Sequence, residues 1–196
     1  MNNVPSLTQQ SGQLDALIHK TVVSDRQQQP MALEAGVQAC CDLLADTREK
    51  RGQVLIIGNG GSAAVAGHAA IDFLNVDQLR ASTLHDAPTL TCISNDYGYE
   101  NSYAHSLKTL ALEGDLLIAI SSSGQSANMT NAVAVARQVG CRVMTLSGFK
   151  EDNPLRQVGD LNIWLPSSHY GLVEIGHLFV LHHFSERISL KPSTQE

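Results

Sequence analysis

Three places in this 196-residue chain gather residue types that can do chemistry. His68 and Asp72 stand four apart, which puts them about 40° apart on one side of a helix with ~3.6 residues per turn. At that spacing they can share a metal ion or work as an acid/base pair, or they can form a plain surface ion pair or a core-facing histidine. The stretch Ser121-Ser122-Ser123-Gly124-Gln125-Ser126 puts four hydroxyls and a glycine ahead of an expected helix. Serine is a good N-cap, so one or two belong to any such helix start. Four exceed that need, and hydroxyls with backbone N–H groups suit the oxygens of a phosphate monoester. The third place holds Glu174, His177, His182 and His183, with His169 just before them, on an otherwise apolar segment (Leu172, Val173, Leu178, Phe179, Val180, Leu181). Titratable groups there are costly to bury without partners. Glu174 and His182 lie about 80° apart round a helix and ~12 Å apart along it. One ion reaches both only through extended side chains or across two subunits.

The elements that must position these residues alternate. Short, near-continuous apolar runs predict strands at 54–57, 89–93, 116–120, 142–146 and 161–165, as expected for strands covered on both faces. Helices are expected at 62–74, 100–112, 127–139 and 170–187, and the polar segment 149–158, with Pro154, reads as a loop with at most one helical turn. This predicts an α/β fold, an open five-stranded parallel sheet flanked by helices. Ligands of such sheets bind beyond the carboxyl ends of the strands. Gly58-Asn59-Gly60-Gly61-Ser62 ends the first strand and starts a helix at Ser62, either as a phosphate cradle or as a plain turn. Ser94-Asn95-Asp96-Tyr97-Gly98 follows the expected second strand; these are turn formers, placed where contact with a polyol is open to them. Two leading helices, from about 10 to 25 and 31 to 50, are separated by Gln27-Gln28-Gln29-Pro30 and fall outside the alternation. They form a helical extension over 1–50, which packs on the core or on a partner subunit, with the main domain at 51–190.

Composition narrows the classes. The formal net charge of −6 leaves no basic excess to neutralise nucleic-acid phosphates. No apolar run approaches the ~20 residues of a membrane span. Met1-Asn2-Asn3-Val4-Pro5-Ser6 lacks a basic, then apolar leader, so the expected compartment is the cytoplasm. Cys40, Cys41, Cys92 and Cys141 form no C-x-x-C pair and sit in apolar segments, which predicts buried free thiols. No G-x-x-x-x-G-K-[ST] loop occurs. The dinucleotide fingerprint is incomplete, with Ala63 at its third position, so that site is disfavoured.

The glycine turn, Asn95-Asp96-Tyr97-Gly98 and the serine loop stand in the order seen in sugar isomerase (SIS) domains. Within that family the chain resembles the sedoheptulose-7-phosphate isomerases over roughly residues 31–187. The resemblance implies a flavodoxin-like three-layer sandwich. It also implies a phosphosugar aldose–ketose isomerase making D-glycero-D-manno-heptose 7-phosphate for bacterial surface polysaccharide, as a homotetramer with sites between subunits. By motif, Asn59, Gly60, Gly61, Ser62, Asn95 and Asp96 would line the sugar phosphate, and Ser121, Ser122, Ser123 and Ser126 would hold its phosphate. Family members often bind zinc through His, Glu, Gln and His, positions filled here by His68, Asp72, Glu174 and His182. Asp72 would be the base and His182 its acid/base partner; Asp72 and Glu174 would also contact substrate. Two departures stand out. Asp72 is one methylene shorter than glutamate, and Glu174 is charged where the family has a neutral amide. The fold alone does not prove catalysis, because a related SIS protein is an adaptor for the replication initiator. A phosphosugar sensor, or an isomerase of a hexulose or arabinose phosphate, is the alternative.

Overall fold

The structure is a computed structural model that describes residues 5–189. Its strands form because branched and aliphatic side chains alternate faces along each run. In β3 (Gln53–Gly58), Val54 and Ile56 enter one apolar cluster, while Leu55 and Ile57 enter another on the opposite face. In β5 (Leu116–Ser121), Leu116, Ile118 and Ile120 join the first cluster, and Leu117 and Ala119 the second. The first cluster is closed by α1 (Leu7–His19), α2 (Leu33–Glu49), α3 (Gly61–Asn75) and α7 (Tyr170–Ile188). The second is closed by α5 (Ser102–Leu110) and α6 (Ala127–Val139). The result is a three-layer α/β sandwich.

The sheet has seven strands rather than five, in the order β2-β1-β7-β6-β5-β3-β4. Its five parallel members are β7 (Leu161–Trp164), β6 (Arg142–Ser147), β5, β3 and β4 (Arg80–Thr83). A hairpin of β1 (Val22–Asp25) and β2 (Pro30–Met31) adds an antiparallel edge on β7. From β3 the chain goes to β4 on one side and then returns to β5 on the other. The crevice beyond the carboxyl ends of β3 and β5 is therefore the switch point where such sheets bind ligands.

Several expectations change. Segment 89–93 is not a strand but part of α4 (Ala87–Tyr97). Asp86 caps it by accepting from the Thr89 N–H at 3.2 Å, Pro88 lies in its first turn, and Leu90 and Ile93 face inward three residues apart. The parallel strand expected there is β4, whose Arg80, Ser82 and Thr83 hide it in a polar segment. The first helix ends at His19 rather than near Asp25, because Val22–Asp25 pairs with β7. The Gln27–Pro30 break is the hairpin turn, where the Asp25 Oδ1 accepts from the N–H groups of Gln27 and Gln29, each at 2.9 Å. Segment 149–158 is a loop with one 3-10 turn at Leu155–Gln157. Cys40, Cys41 and Cys141 are buried, but Cys92, carried outward by α4, is exposed. Residues 1–4 lie outside the described residues, and α1 begins at Leu7 under a Ser6–Gln9 capping box. No helix among the described residues is long and apolar enough to cross a membrane.

Candidate functional site

At the switch point lies a cavity of about 140 Å³ lined by Asn59, Ser62, Ser121, Ser122, Ser123, Ser126, Tyr170 and Glu174. The serine wall is built for an acceptor-rich guest. Ser126 sits at the N-cap of α6, yet its hydroxyl makes no capping bond. The Ser122 hydroxyl is buried, with the residue 4% exposed, and has no hydrogen-bond partner. A buried hydroxyl without a partner costs roughly 1–3 kcal/mol, a cost that a bound oxygen removes. Ser121 and Ser123 accept from the backbone N–H groups of Gly124 and Gln125. Gly124 has φ +65°, and a Cβ there would collide with the Asn153 side chain, so the loop's path requires glycine.

The opposite wall is fixed by amides. Asn59 and Asn128 exchange side-chain bonds at 3.0 and 2.9 Å, and the Tyr99 hydroxyl donates to Asn59 Oδ1 at 2.8 Å. Tyr103, buried, donates to the Gly58 carbonyl at 2.6 Å. Gly61, the first residue of α3, lies directly under the Glu174 carboxylate, and a Cβ would occupy the carboxylate's place. Glu174 is half-buried, and its side chain makes no hydrogen bond or ion pair among the described residues.

The second group lies further along the same helices. His182 Nδ1 is 2.9 Å from Asp72 Oδ2, and His68 Nε2 is 3.3 Å from that oxygen. Both contacts fall on Oδ2, which leaves Oδ1 without a partner. The bond to Asp72 holds the His182 imidazolium above its ordinary range, with Glu186, 3.6 Å from Nε2, adding to the effect. Donor atoms of His68, Asp72 and His182 lie within 4.8 Å of one another. Two imidazoles and a carboxylate match the three-ligand sets of catalytic zinc sites, which keep a fourth position open. The residues therefore fit such an ion. Because Gly61 meets Glu174 and Asp72 meets His182, α3 and α7 run parallel. Glu174 stays with the cavity and outside this group, two turns of α7, ~12 Å, from His182.

Of the residues singled out in the sequence, Asn59, Ser62, the four serines and Glu174 line one cavity, and His68, Asp72 and His182 form one cluster. Gly60 supplies the N-cap position of α3. Asn95 and Asp96 do not line the cavity; they sit exposed on the last turn of α4, hydrogen-bonded to each other at 2.9 Å. Their placement after a strand is corrected along with that strand. His169 caps α7 by accepting from the Leu172 N–H. His177 is fully buried against the Ser147 carbonyl at 3.1 Å, and burial pushes its pKa down to about 4. His183 lines an apolar hollow with Phe179 and Phe184. Tyr170 was not singled out; its position just past β7, at a carboxyl end, is the signal that marks it.

The SIS domain profile matches residues 21–148. A phosphoheptose isomerase of Geotalea uraniireducens is 35% identical over 152 residues, covering 74% of this chain and 80% of the relative. That of Helicobacter pylori is 31% identical over 178 residues, covering 86% and 92%. Among solved structures, the phosphoheptose isomerase of Neisseria gonorrhoeae superposes with a TM-score of 0.78 at 27% identity, covering 92% of this chain and 94% of that one.

Proposed function

The chain belongs to the SIS domain family, and from that membership we propose that it is a phosphosugar aldose–ketose isomerase, converting sedoheptulose 7-phosphate to D-glycero-D-manno-heptose 7-phosphate through an enediol. The observation that carries this reading is the orphaned, buried Ser122 hydroxyl in a cavity walled by serines, on the same helix pair as an Asp–His dyad.

The serines and the free first-turn N–H groups of α6 hold the phosphate. Isomerisation moves a proton between adjacent carbons, which needs a base for the carbon-bound proton and a donor for the oxygen. Asp72 Oδ1, free while Oδ2 is held, takes the carbon proton. His182, whose pKa the bond to Asp72 raises, donates a hydrogen to the developing oxyanion. Zinc would be held by His68, Asp72 and the neutral form of His182, and when bound supplies, in place of the proton donated by His182, Lewis-acid stabilisation of negative charge on oxygen.

The cavity is small for a whole heptose phosphate, and the dyad lies ~12 Å along α7 from Glu174. Ile175, Phe179, His182 and Glu186 form one stripe of α7, and Ile175 and Phe179 are more than half exposed, as are Ile71 and Leu74 on α3. Copies of the chain pack through this apolar face, as a homotetramer whose sites take the cavity of one copy and the dyad of another. The exposed pair Asn95 and Asp96 reaches the sugar in that assembly. The enzyme works in the cytoplasm and feeds lipopolysaccharide synthesis.

The deciding experiment is turnover of sedoheptulose 7-phosphate by the purified protein and by D72N. The parent turns over; D72N loses about 10²–10⁴-fold in kcat with KM little changed. Full activity in D72N rejects the assignment of the base. A parent that binds the sugar phosphate without turnover is a sensor or adaptor instead.

A further inference from the structure

Two helices open into the cavity with the same electrostatic sense. Both α3 and α6 point their N-termini at it, and neither has a side-chain capping bond. Each end carries the positive end of a helix dipole, but at α3 the Ser62 and Ala63 N–H groups already bond the Asn59 and Gly60 carbonyls, whereas at α6 such bonds begin only at Met129. As dipoles alone, both ends attract an anion. The side chains separate the two ends further. The α6 end is surrounded by the hydroxyls of Ser121, Ser122, Ser123 and Ser126, one of them buried and unpartnered. The α3 end lies beneath the carboxylate of Glu174, which has no partner of its own among the described residues and sits so close that a Cβ on Gly61 would push it aside.

We propose that Glu174 fixes the orientation of the sugar phosphate, by filling the anion position at the start of α3 with its own carboxylate and leaving the serine loop as the one place a phosphate can go. This rests on the reading of the ligand as a phosphate ester. A carboxylate facing a phosphate across a cavity of about 140 Å³ repels it. The same carboxylate accepts hydrogen bonds from hydroxyls on the carbons next to the ester. The cavity thus favours a monoester joined to a hydroxylated chain. It disfavours free phosphate and any ligand that brings a second anionic group beside the first.

The test is direct binding to the full chain by titration calorimetry, with inorganic phosphate and sedoheptulose 7-phosphate as probes. E174Q keeps the size and hydrogen-bonding reach of the side chain and removes its charge. E174D keeps the charge and draws it back by one methylene. Thermal melts establish that both fold. In E174Q, inorganic phosphate binds at least about 10-fold more tightly, and sedoheptulose 7-phosphate tightens by less, because it loses an acceptor for its hydroxyls. In E174D the phosphate affinity stays within about threefold of the parent. Phosphate affinity unchanged or weaker in E174Q overturns the proposal, as does equal tightening in both variants, which would mean that shape and not charge is at work. Turnover is scored separately. A parent without isomerase activity whose E174Q variant still tightens on phosphate removes the isomerase reading and leaves the role of Glu174 standing.

Discussion

The serine cavity and the His68–Asp72–His182 cluster sit on one helix pair, yet they are built in opposite ways. The cavity is made where strands end. Its walls are backbone turns and short side chains, with Ser62, Ser121 and Ser122 at most 7% exposed. The cluster is made on helix faces from longer side chains, with His68 and His182 both 53% exposed. A site of the first kind is complete within one chain, because sheet geometry fixes it. A site of the second kind lies open to solvent, and the exposed Ile71, Leu74, Ile175 and Phe179 beside it are what a second copy would bury in the proposed assembly. Exposed ion pairs alone contribute little to stability. The cluster's arrangement therefore does little to hold the fold.

The sharpest way to break this contrast is to separate the two regions genetically. D72N disables the cluster and leaves the cavity; S122A damages the cavity and leaves the cluster. If the working site takes one region from each of two copies, refolding the two variants together restores sites that contain neither substitution. At substrate concentrations well below KM, kcat/KM then rises above that of either variant alone, recovering part of the about 10- to 100-fold loss in S122A and of the larger loss in D72N. No recovery, with mixed assemblies shown by native mass spectrometry, places both regions of one chain in the same site. A smaller effect belongs to S122A alone. A hydrogen bond from a neutral hydroxyl to a charged phosphate is worth roughly 1.5–3 kcal/mol, so KM rises by about 10- to 100-fold while kcat holds. A fall in kcat at unchanged KM would instead assign Ser122 to the chemical step.

Much of the cavity was legible in the sequence, and the reason is local. Ser126 and Gly140 bracket α6, Gly140 in the left-handed conformation at its C-cap, so 127–139 could be read directly. The apolar runs of β3 and β5 are buried on both faces and look it. Thr89, Thr91 and Ile93 look like a strand because they are β-branched, but the Asp86 cap and Pro88 set a helix, and tertiary context outweighed propensity. β4 was missed because an edge strand paired on one side need not be apolar. The family resemblance groups Glu174 with the metal ligands, but its place over Gly61 follows from how α7 lies against α3, which no local pattern encodes. His177 reads like a site residue and is a core residue.

That histidine gives the smallest effect, and it asks whether the two regions are mechanically joined. His177 lies between Glu174 and His182 on α7 and fastens that helix to β6 through the Ser147 carbonyl, with Nδ1 buried and unpartnered. Burial keeps the ring neutral, with a pKa of about 4 against an ordinary value of 6.5. The unfolded chain therefore binds a proton that the folded chain does not between those values. Stability from this group is intact above pH 6.5, falls as pH drops toward 4, and falls no further below that. The gap corresponds to at most about 3 kcal/mol, of which roughly 1 kcal/mol is lost at pH 5.5. Urea unfolding at pH 7 and pH 5.5 reads this out, with H177N as the reference that lacks the titration. The parent should lose about 1 kcal/mol more than H177N over that interval. If α7 couples the regions, phosphate affinity at the serine loop and turnover by the dyad decline together as the helix loosens. Equal pH dependence in parent and variant would show that His177 does not carry the acid sensitivity, and the cavity and cluster would then rest on α7 independently.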